Sequence, residues 1–268
     1  MVIVYLTGCM STVPVSSDVI EDVEETHEIS TPTDQEFFEE EDFQNSSYAM
    51  LMVVGREIQD PSPLGSSWGK QKTTSLALLS WSRSETNVEY METHCALSTT
   101  DDFGTIYNYS EEYLEAISDR TRIGALSSTR GGAEFAVSEY IDLNGVELEN
   151  PIDALPTNSS DNRIYDMDRD GNIGITIGVS ASIGNGEVYA IQRRKYALEG
   201  IVINNERIEG YVQAVHEQVS LGFSEFWLEY GDSAGRVDSD STRSYFIIQE
   251  IDPSWGCLEI MNNQHTLF

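Results

Sequence analysis

Basic residues are scarce in this chain of 268 residues, which has 15 Lys and Arg against 46 Asp and Glu and a formal net charge of −31. Phosphate binding needs clustered Lys and Arg, so this balance argues against nucleic acid as a partner. It also argues against electrostatic docking on an anionic membrane. The surplus carboxylates fit a medium rich in divalent cations, which screen them or bind to them.

Long apolar runs and catalytic motifs are also missing. No segment approaches the roughly 20 apolar residues of a transmembrane helix. None of the four histidines has the paired spacing of a zinc enzyme. Ser180 lies in a sequence that lacks the closing glycine of a nucleophile elbow. We therefore expect a non-enzymatic protein. A hydrolase that uses a carboxylate pair stays open as an alternative, because acids are abundant and no pair stands out.

Residues 1–9 form a short apolar run that ends in Leu6-Thr7-Gly8-Cys9. This ending resembles the lipobox of bacterial lipoproteins. The resemblance implies diacylglycerol on the Cys9 sulfur, cleavage before Cys9, and acylation of the new amino group. Because Met10 rather than Asp follows the cysteine, it also implies an outer-membrane location. The membrane would then be contacted through the lipid anchor only.

A complete signal peptide has a positive start and a longer apolar stretch. We therefore interpret residues 1–9 as a truncated signal peptide, from a start codon placed too late or from a fragment. The alternative is a β-strand that begins at residue 1.

Residues 10–47 are rich in acidic and hydroxyl side chains and contain no Lys or Arg. Like charges repel, and little apolar surface is available for burial. The composition predicts a disordered acidic tether between the membrane and a β-rich domain over residues 48–268.

Alternating and apolar segments separated by turn residues predict a mainly β domain. In the C-terminal half, we expect turns at Gly184-Asn185-Gly186 and at Asn204-Asn205. This pattern predicts an antiparallel meander that forms a barrel or a strongly curved sheet with one or two short helices, one of them capped by Ser110. A two-sheet sandwich is the alternative. Strands are predicted over residues 173–182, 187–203, 206–221 and 244–251.

Asp166, Asp168 and Asp170 occupy alternate positions of a D-x-D-x-D-G sequence that ends at Gly171. Calcium prefers six to eight oxygen ligands, and a loop of this kind adds the backbone carbonyl of the seventh residue, Asn172. The twelfth position is isoleucine rather than glutamate, and a strand follows, so the loop is not an EF-hand. The sequence predicts a structural calcium site whose remaining ligands come from water or a distant carboxylate, Asp161 being the nearest. An acidic turn without a metal is the alternative.

Two further expectations concern paired side chains. If Cys9 carries lipid, Cys95 and Cys257 remain, and an exported protein can join them in a disulfide. Two unrelated buried thiols are the alternative. The basic run 193–195 lies on a predicted strand, and we expect it to pair across strands with acids such as Glu209.

The lipobox, the acidic segment and the sequence from Asp166 to Arg193 together resemble a group of Gram-negative envelope lipoproteins. The loop of that group usually reads D-x-D-x-D-G-x-P-G, and here Ile173 replaces the proline. The group has no assigned activity, so the resemblance implies a location and a metal loop, not a reaction. We expect a monomeric envelope protein that binds a ligand or a protein partner. A β-barrel carrier of a small apolar ligand is the main alternative.

Overall fold

The computed structural model describes residues 25–32, 47–59, 67–128, 131–231 and 235–268. Within them, eleven strands join into one antiparallel sheet. Cys9, the predicted signal peptide, and residues 10–24 and 33–46 of the predicted tether lie outside the described residues. The strands are β1 (Ser47–Gln59), β2 (Trp68–Ser84), β3 (Asn87–Asp101), β4 (Ile106–Tyr109), β5 (Arg120–Leu126), β6 (Glu134–Asn144), β7 (Ile175–Ala181), β8 (Gly184–Asn204), β9 (Arg207–Phe223), β10 (Gly235–Val237) and β11 (Tyr245–Ile251).

The sheet closes on itself. Following the pairings in order, the ring runs β1, β2, β3, β5, β6, β8, β9, β11 and back to β1. Closure pairs the backbone groups that an open sheet would leave at its edges. The prediction of a mainly β chain forming a barrel is confirmed, and a two-sheet sandwich is wrong. No described helix is long and apolar enough to cross a membrane.

Different strands complete the barrel wall at its two ends. At the first end, β3 and β8 are joined through β5 and β6. At the second end, they are joined through β4 and β7. Helix α1 (Glu111–Ile117) lies between β4 and β5 in the chain. Ser110 caps this helix as predicted, because its Oγ accepts a hydrogen bond from the Tyr113 N–H at 3.1 Å.

Large side chains fill the first end of the barrel. Trp81 stacks on Tyr90 and Phe135, with ring centroids 5.5 and 5.8 Å apart. Gly200 and Gly210 lie opposite each other on β8 and β9, and a Cβ on either would come within 2.8 Å of the Phe246 ring. Glycine at both positions therefore lets this ring pack directly on the backbone, and this half of the barrel is a solid core.

A second helix, α2 (Cys257–Leu267), covers the outer face of β1, β2, β3 and β11. The Cys95–Cys257 disulfide attaches its first residue to β3, with the Cα atoms 4.9 Å apart. The predicted pairing of these two cysteines is confirmed.

The predicted turns are displaced. Ser182 and Ile183 form the first turn, and Gly184 and Gly186 already belong to β8. Gly186 is needed for packing rather than for turning, since a Cβ there would lie 2.8 Å from Leu228. The second turn lies one residue later than predicted, at positions 205–206.

Residues 25–32 correct the prediction of a free tether over the whole of 10–47. They lie against the domain, where His27 and Ser30 bond the buried carboxylate of Glu209 at 2.8–3.0 Å. Glu209 is therefore not the partner of the basic run. It lies opposite Ile201, and the cross-strand partner of Arg193 is Glu217.

Candidate functional site

The second end of the barrel holds a cavity of about 720 Å³. Its size follows from the inward residues of the surrounding strands, many of which are small. Thr73, Thr99, Ala181, Ala214 and Ser220 stand where the first end has large apolar side chains. Small side chains on a closed wall leave an interior volume that the fold itself does not fill.

The wall of the cavity is apolar on the side of β7 and β8, where Ile177, Val179 and Val188 are buried. Apolar residues also reach the solvent at its mouth. Ile183 is 70% exposed and Val215 is 52% exposed, and both line the cavity. An apolar body would therefore be in contact with protein from the interior to the opening.

The wall of the cavity has a gap in its backbone pairing between β1 and β9. Strand β11 separates these two strands up to the Tyr245–Tyr211 pair, and beyond it β9 pairs only with β8 among the described residues. Val215 and Glu217, which alternate with the inward side chains of β9, still line the cavity. The cavity therefore extends to the unpaired edge of this strand.

Two arginines line the cavity of this acidic protein. Arg56 reaches across from β1 and donates from Nη1 to Nδ1 of His216 on β9 at 2.8 Å. Arg194 lies directly opposite His216 on β8, and its guanidinium carbon is 6.0 Å from the centre of the Tyr109 ring. In the described part of the chain, neither arginine forms an ion pair with a carboxylate. The inner part of the cavity is therefore positively charged.

His216 is the neutral member of this group. Burial, together with the nearby Arg194 and Arg56, holds its pKa well below the ordinary value. Because Nδ1 accepts from Arg56, the proton of the neutral ring lies on Nε2. Nε2 is buried and has no hydrogen-bond partner among the described residues. This N–H is enclosed by protein, so His216 contributes to the cavity by accepting from Arg56.

A polar layer separates the cavity from the solid core. Arg122 donates to Glu92 at 3.1 Å and to Asp142 at 2.8 Å, and Arg120 lies 2.9 Å from Asp142. Burial raises the pKa of Glu92 although Arg122 opposes this shift. The charges of this layer therefore compensate one another. Against the effect of burial, Asp142 also raises the pKa of Arg194, but its ion pairs are with Arg120 and Arg122.

The acidic loop lies outside the barrel, immediately before β7. Gly171 has a φ of +94°, which allows the sharp turn, and its N–H donates to Asp166 Oδ2 at 2.9 Å. The loop is closed at its base, where Met167 N–H donates to Gly174 carbonyl at 2.9 Å. The backbone thus curls so that the side chains of alternate residues converge.

The three aspartates come together as predicted. One carboxylate oxygen from each of Asp166, Asp168 and Asp170 lies within 4.8 Å of the other two. Asp168 is only 1% exposed, and its Oδ1 has no hydrogen-bond partner among the described residues. Burial and the two neighbouring carboxylates raise its pKa. This triad could hold a metal ion.

The other predicted loop ligands have different surroundings. Asn172 donates to Asp170 from its backbone N–H at 2.8 Å and from Nδ2 at 3.1 Å. Asp161 is outside the cluster and pairs with Arg163, whose Nη2 lies 2.8 Å from its Oδ2. This pairing lowers the pKa of Asp161 to about 2, and we do not retain it as a ligand.

Comparison with protein-family models, with curated proteins and with solved structures gave no match. No relative therefore supplies a reaction, a ligand or a partner for this chain.

The cavity residues were missed by the sequence analysis. Side chains alternate along a strand, so Arg194 faces the side opposite Arg193 and Lys195, but the sequence does not say which side points inward. Arg56 and His216 are 160 positions apart and meet only through barrel closure. The hydrolase alternative gains no support here, since Glu217 is the one carboxylate among the described residues that line the cavity.

Proposed function

We propose that this protein is a non-enzymatic binding protein whose barrel holds a small amphipathic molecule. The cavity carries the proposal. Its volume falls in the range of roughly 300–1,000 Å³ that is typical of small-molecule sites, and it combines apolar walls with a few convergent polar groups. A barrel that served only as a rigid scaffold would be filled at both ends, as this one is at its first end.

A neutral fluorescent probe, N-phenyl-1-naphthylamine, tests this proposal. We expect saturable binding of one probe per chain, with the emission enhancement of a dry apolar site. Ser220→Trp fills the cavity from β9 and should abolish binding. Gln213→Trp, on the exposed face of the same strand, is the matched control and should bind as the natural chain does. Equal binding by both variants would contradict the proposal.

We also propose that the acidic loop binds calcium as a structural ion. The convergence of three carboxylates, the Gly171 turn and the unpartnered buried Asp168 oxygen support it. The ion would fix the segment that starts β7, and β7 supplies Ile177 and Val179 to the cavity wall. Calcium would therefore stabilise the cavity without contacting the ligand.

Thermal unfolding in calcium and in EDTA tests the metal proposal. For a Kd of about 10⁻⁴ M, 10 mM calcium adds about 2.7 kcal/mol to the free energy of unfolding. Asp168→Asn should remove most of this gain. Asp161→Asn removes the same charge from an acid outside the cluster and should keep the gain. An unchanged Tm in millimolar calcium would contradict the proposal.

For location, we propose an exported protein held at the outer membrane by lipid on Cys9. The Cys95–Cys257 disulfide supports export, because disulfides persist in oxidising compartments. With a complete bacterial signal peptide in place of residues 1–5, labelled palmitate should be incorporated into the protein in a bacterial host and not into its Cys9→Ser variant. Labelling of both proteins, or of neither, would contradict the anchor.

A further inference from the structure

We propose that the ligand carries a carboxylate, and that Arg56 and Arg194 bind this group at the inner end of the cavity. This inference rests on the proposed function of the barrel as a binding protein, and it adds the chemical class of the ligand.

The charge balance of the barrel interior supports an anion. In the polar layer, Arg120 and Arg122 are matched by Glu92 and Asp142. No described carboxylate forms an ion pair with Arg56 or Arg194, although Arg194 is buried. Buried guanidinium groups without a counter-charge are costly to a fold, and a bound anion removes this cost.

The geometry brings two charged donors to one place. Arg56 contacts His216, Arg194 lies opposite His216 on the neighbouring strand, and all three side chains line the cavity. His216 accepts from Arg56 and so holds this guanidinium group on the side of the cavity where Arg194 lies. A carboxylate has two oxygens with about four acceptor positions, so it can accept from both guanidinium groups.

The rest of the cavity indicates the shape of the ligand. The wall formed by Ile177, Val179 and Val188 suits an apolar body, which would extend toward Ile183 and Val215 at the mouth. Glu217 does not oppose an anion, because its side chain is 49% exposed and is bound by Arg193 on the outer side of the wall. The chemistry is that of a monocarboxylic acid with an apolar chain.

Displacement of N-phenyl-1-naphthylamine from the full chain by three ten-carbon compounds tests the inference. Decanoate is the anion, 1-decanol has the same chain with a neutral head, and decyltrimethylammonium has a cationic head. We expect decanoate to displace the probe at a concentration at least about tenfold lower than 1-decanol, since charge-assisted bonds are worth that much or more. Decyltrimethylammonium should be the weakest of the three.

Variants identify the residues responsible. Arg56→Gln and Arg194→Gln should each weaken displacement by decanoate more than displacement by 1-decanol, so that the preference for decanoate falls by about tenfold. Arg163→Gln removes the same charge from an exposed loop and should keep the preference. If Arg194→Gln does not fold, Arg56→Gln alone decides the outcome.

Failure of the carboxylate inference and failure of the proposed binding function give different results. If the probe binds and 1-decanol displaces it as well as decanoate does, the carboxylate inference is overturned and the binding function stands. The same holds if Arg56→Gln retains the full preference. If the natural chain does not bind the probe at all and no ten-carbon compound binds to it by calorimetry, both the proposed function and this inference are overturned.

Discussion

His94 shows how the burial of a single residue makes the stability of the protein depend on pH. His94 lies on β3, and its Nδ1 is 3.3 Å from the hydroxyl of Ser75 on β2. Burial, reinforced by Arg120 and Arg194, lowers its pKa to about 4 from an ordinary value of about 6.5. The folded protein therefore keeps His94 neutral at pH values where the unfolded chain binds a proton.

The stability of the protein should consequently fall as the pH is lowered from about 6.5 to about 4. Each such histidine removes up to about 1.4 kcal/mol of unfolding free energy per pH unit in this window. Urea unfolding at several pH values measures the slope. His94→Gln should show a shallower slope than the natural chain, and identical slopes would contradict this account.

At the scale of residues, the sequence predicted a site correctly where its residues are close together in the chain. Asp166, Asp168 and Asp170 are alternate residues of one loop, so local geometry brings them together whatever the rest of the fold does. The group of Arg56, Arg194 and His216 needs three strands in a fixed register. A shift of one residue would turn each side chain to the other face of the wall.

At the scale of elements, the docked segment 25–32 depends on one buried acid. Glu209 is 0% exposed, and burial opposes its ionisation, but bonds from His27, Ser30 and Arg207 outweigh this and lower its pKa to about 2. A lowered carboxyl pKa stabilises the fold above the unfolded value of about 4.5. This stabilisation is lost as the pH falls toward 2.

Glu209→Gln should therefore lower the unfolding free energy at pH 7 by about 1–3 kcal/mol, because charge-assisted bonds are lost. The difference from the natural chain should shrink between pH 4.5 and 2. Limited proteolysis should cut residues 25–32 faster in the variant. Glu206→Gln, in the exposed turn before β9, is the control and should change neither quantity.

The disulfide gives a second prediction for an element. Cys257 is the first residue of α2, and the bridge spans a sequence separation of 162 residues. Replacing both Cys95 and Cys257 with serine should lower the unfolding free energy by about 2–5 kcal/mol. Amide exchange should accelerate first in α2.

Reductant provides the matched comparison for the disulfide. It should bring the Tm of the natural chain down to that of the double variant, and it should leave the variant unchanged. Equal stability of oxidised chain and variant would show that the bridge does not hold α2 in place.

The sequence did not locate α2 because this helix has little amphipathic signal of its own. Of its residues, only Ile260 and Gln264 are buried, and it is held by the disulfide and by the Glu259 carboxylate, which accepts from Gly256 N–H at 2.9 Å. Segments with a strong local pattern were predicted more accurately. The long strands β8 and β9 were predicted within three residues at their ends.

For the whole molecule, the meander of the C-terminal half predicted a barrel because consecutive strands pair through short turns. The sequence did not predict which strands close the barrel. Closure depends on the pairing of β1 with β11, and these strands lie almost 200 residues apart. The sequence did not predict the cavity either. The cavity results from small side chains at inward-facing positions, and closure of the barrel decides which positions face inward.

The cavity differs in the sign of its charge from the molecule as a whole. A chain with a net charge of −31 encloses two arginines without carboxylate partners among the described residues, at the inner end of an apolar cavity. This arrangement is the basis of our central proposal, that the positive interior selects an anionic ligand.

A crystal structure of the full chain grown with decanoate tests this claim most directly. We expect one decanoate in the cavity, with its carboxylate within hydrogen-bond distance of Arg56 and Arg194, and its chain along Ile177 and Val179. A cavity that contains only water at saturating decanoate, or a ligand with its carboxylate at the mouth and its chain toward the arginines, would contradict the account.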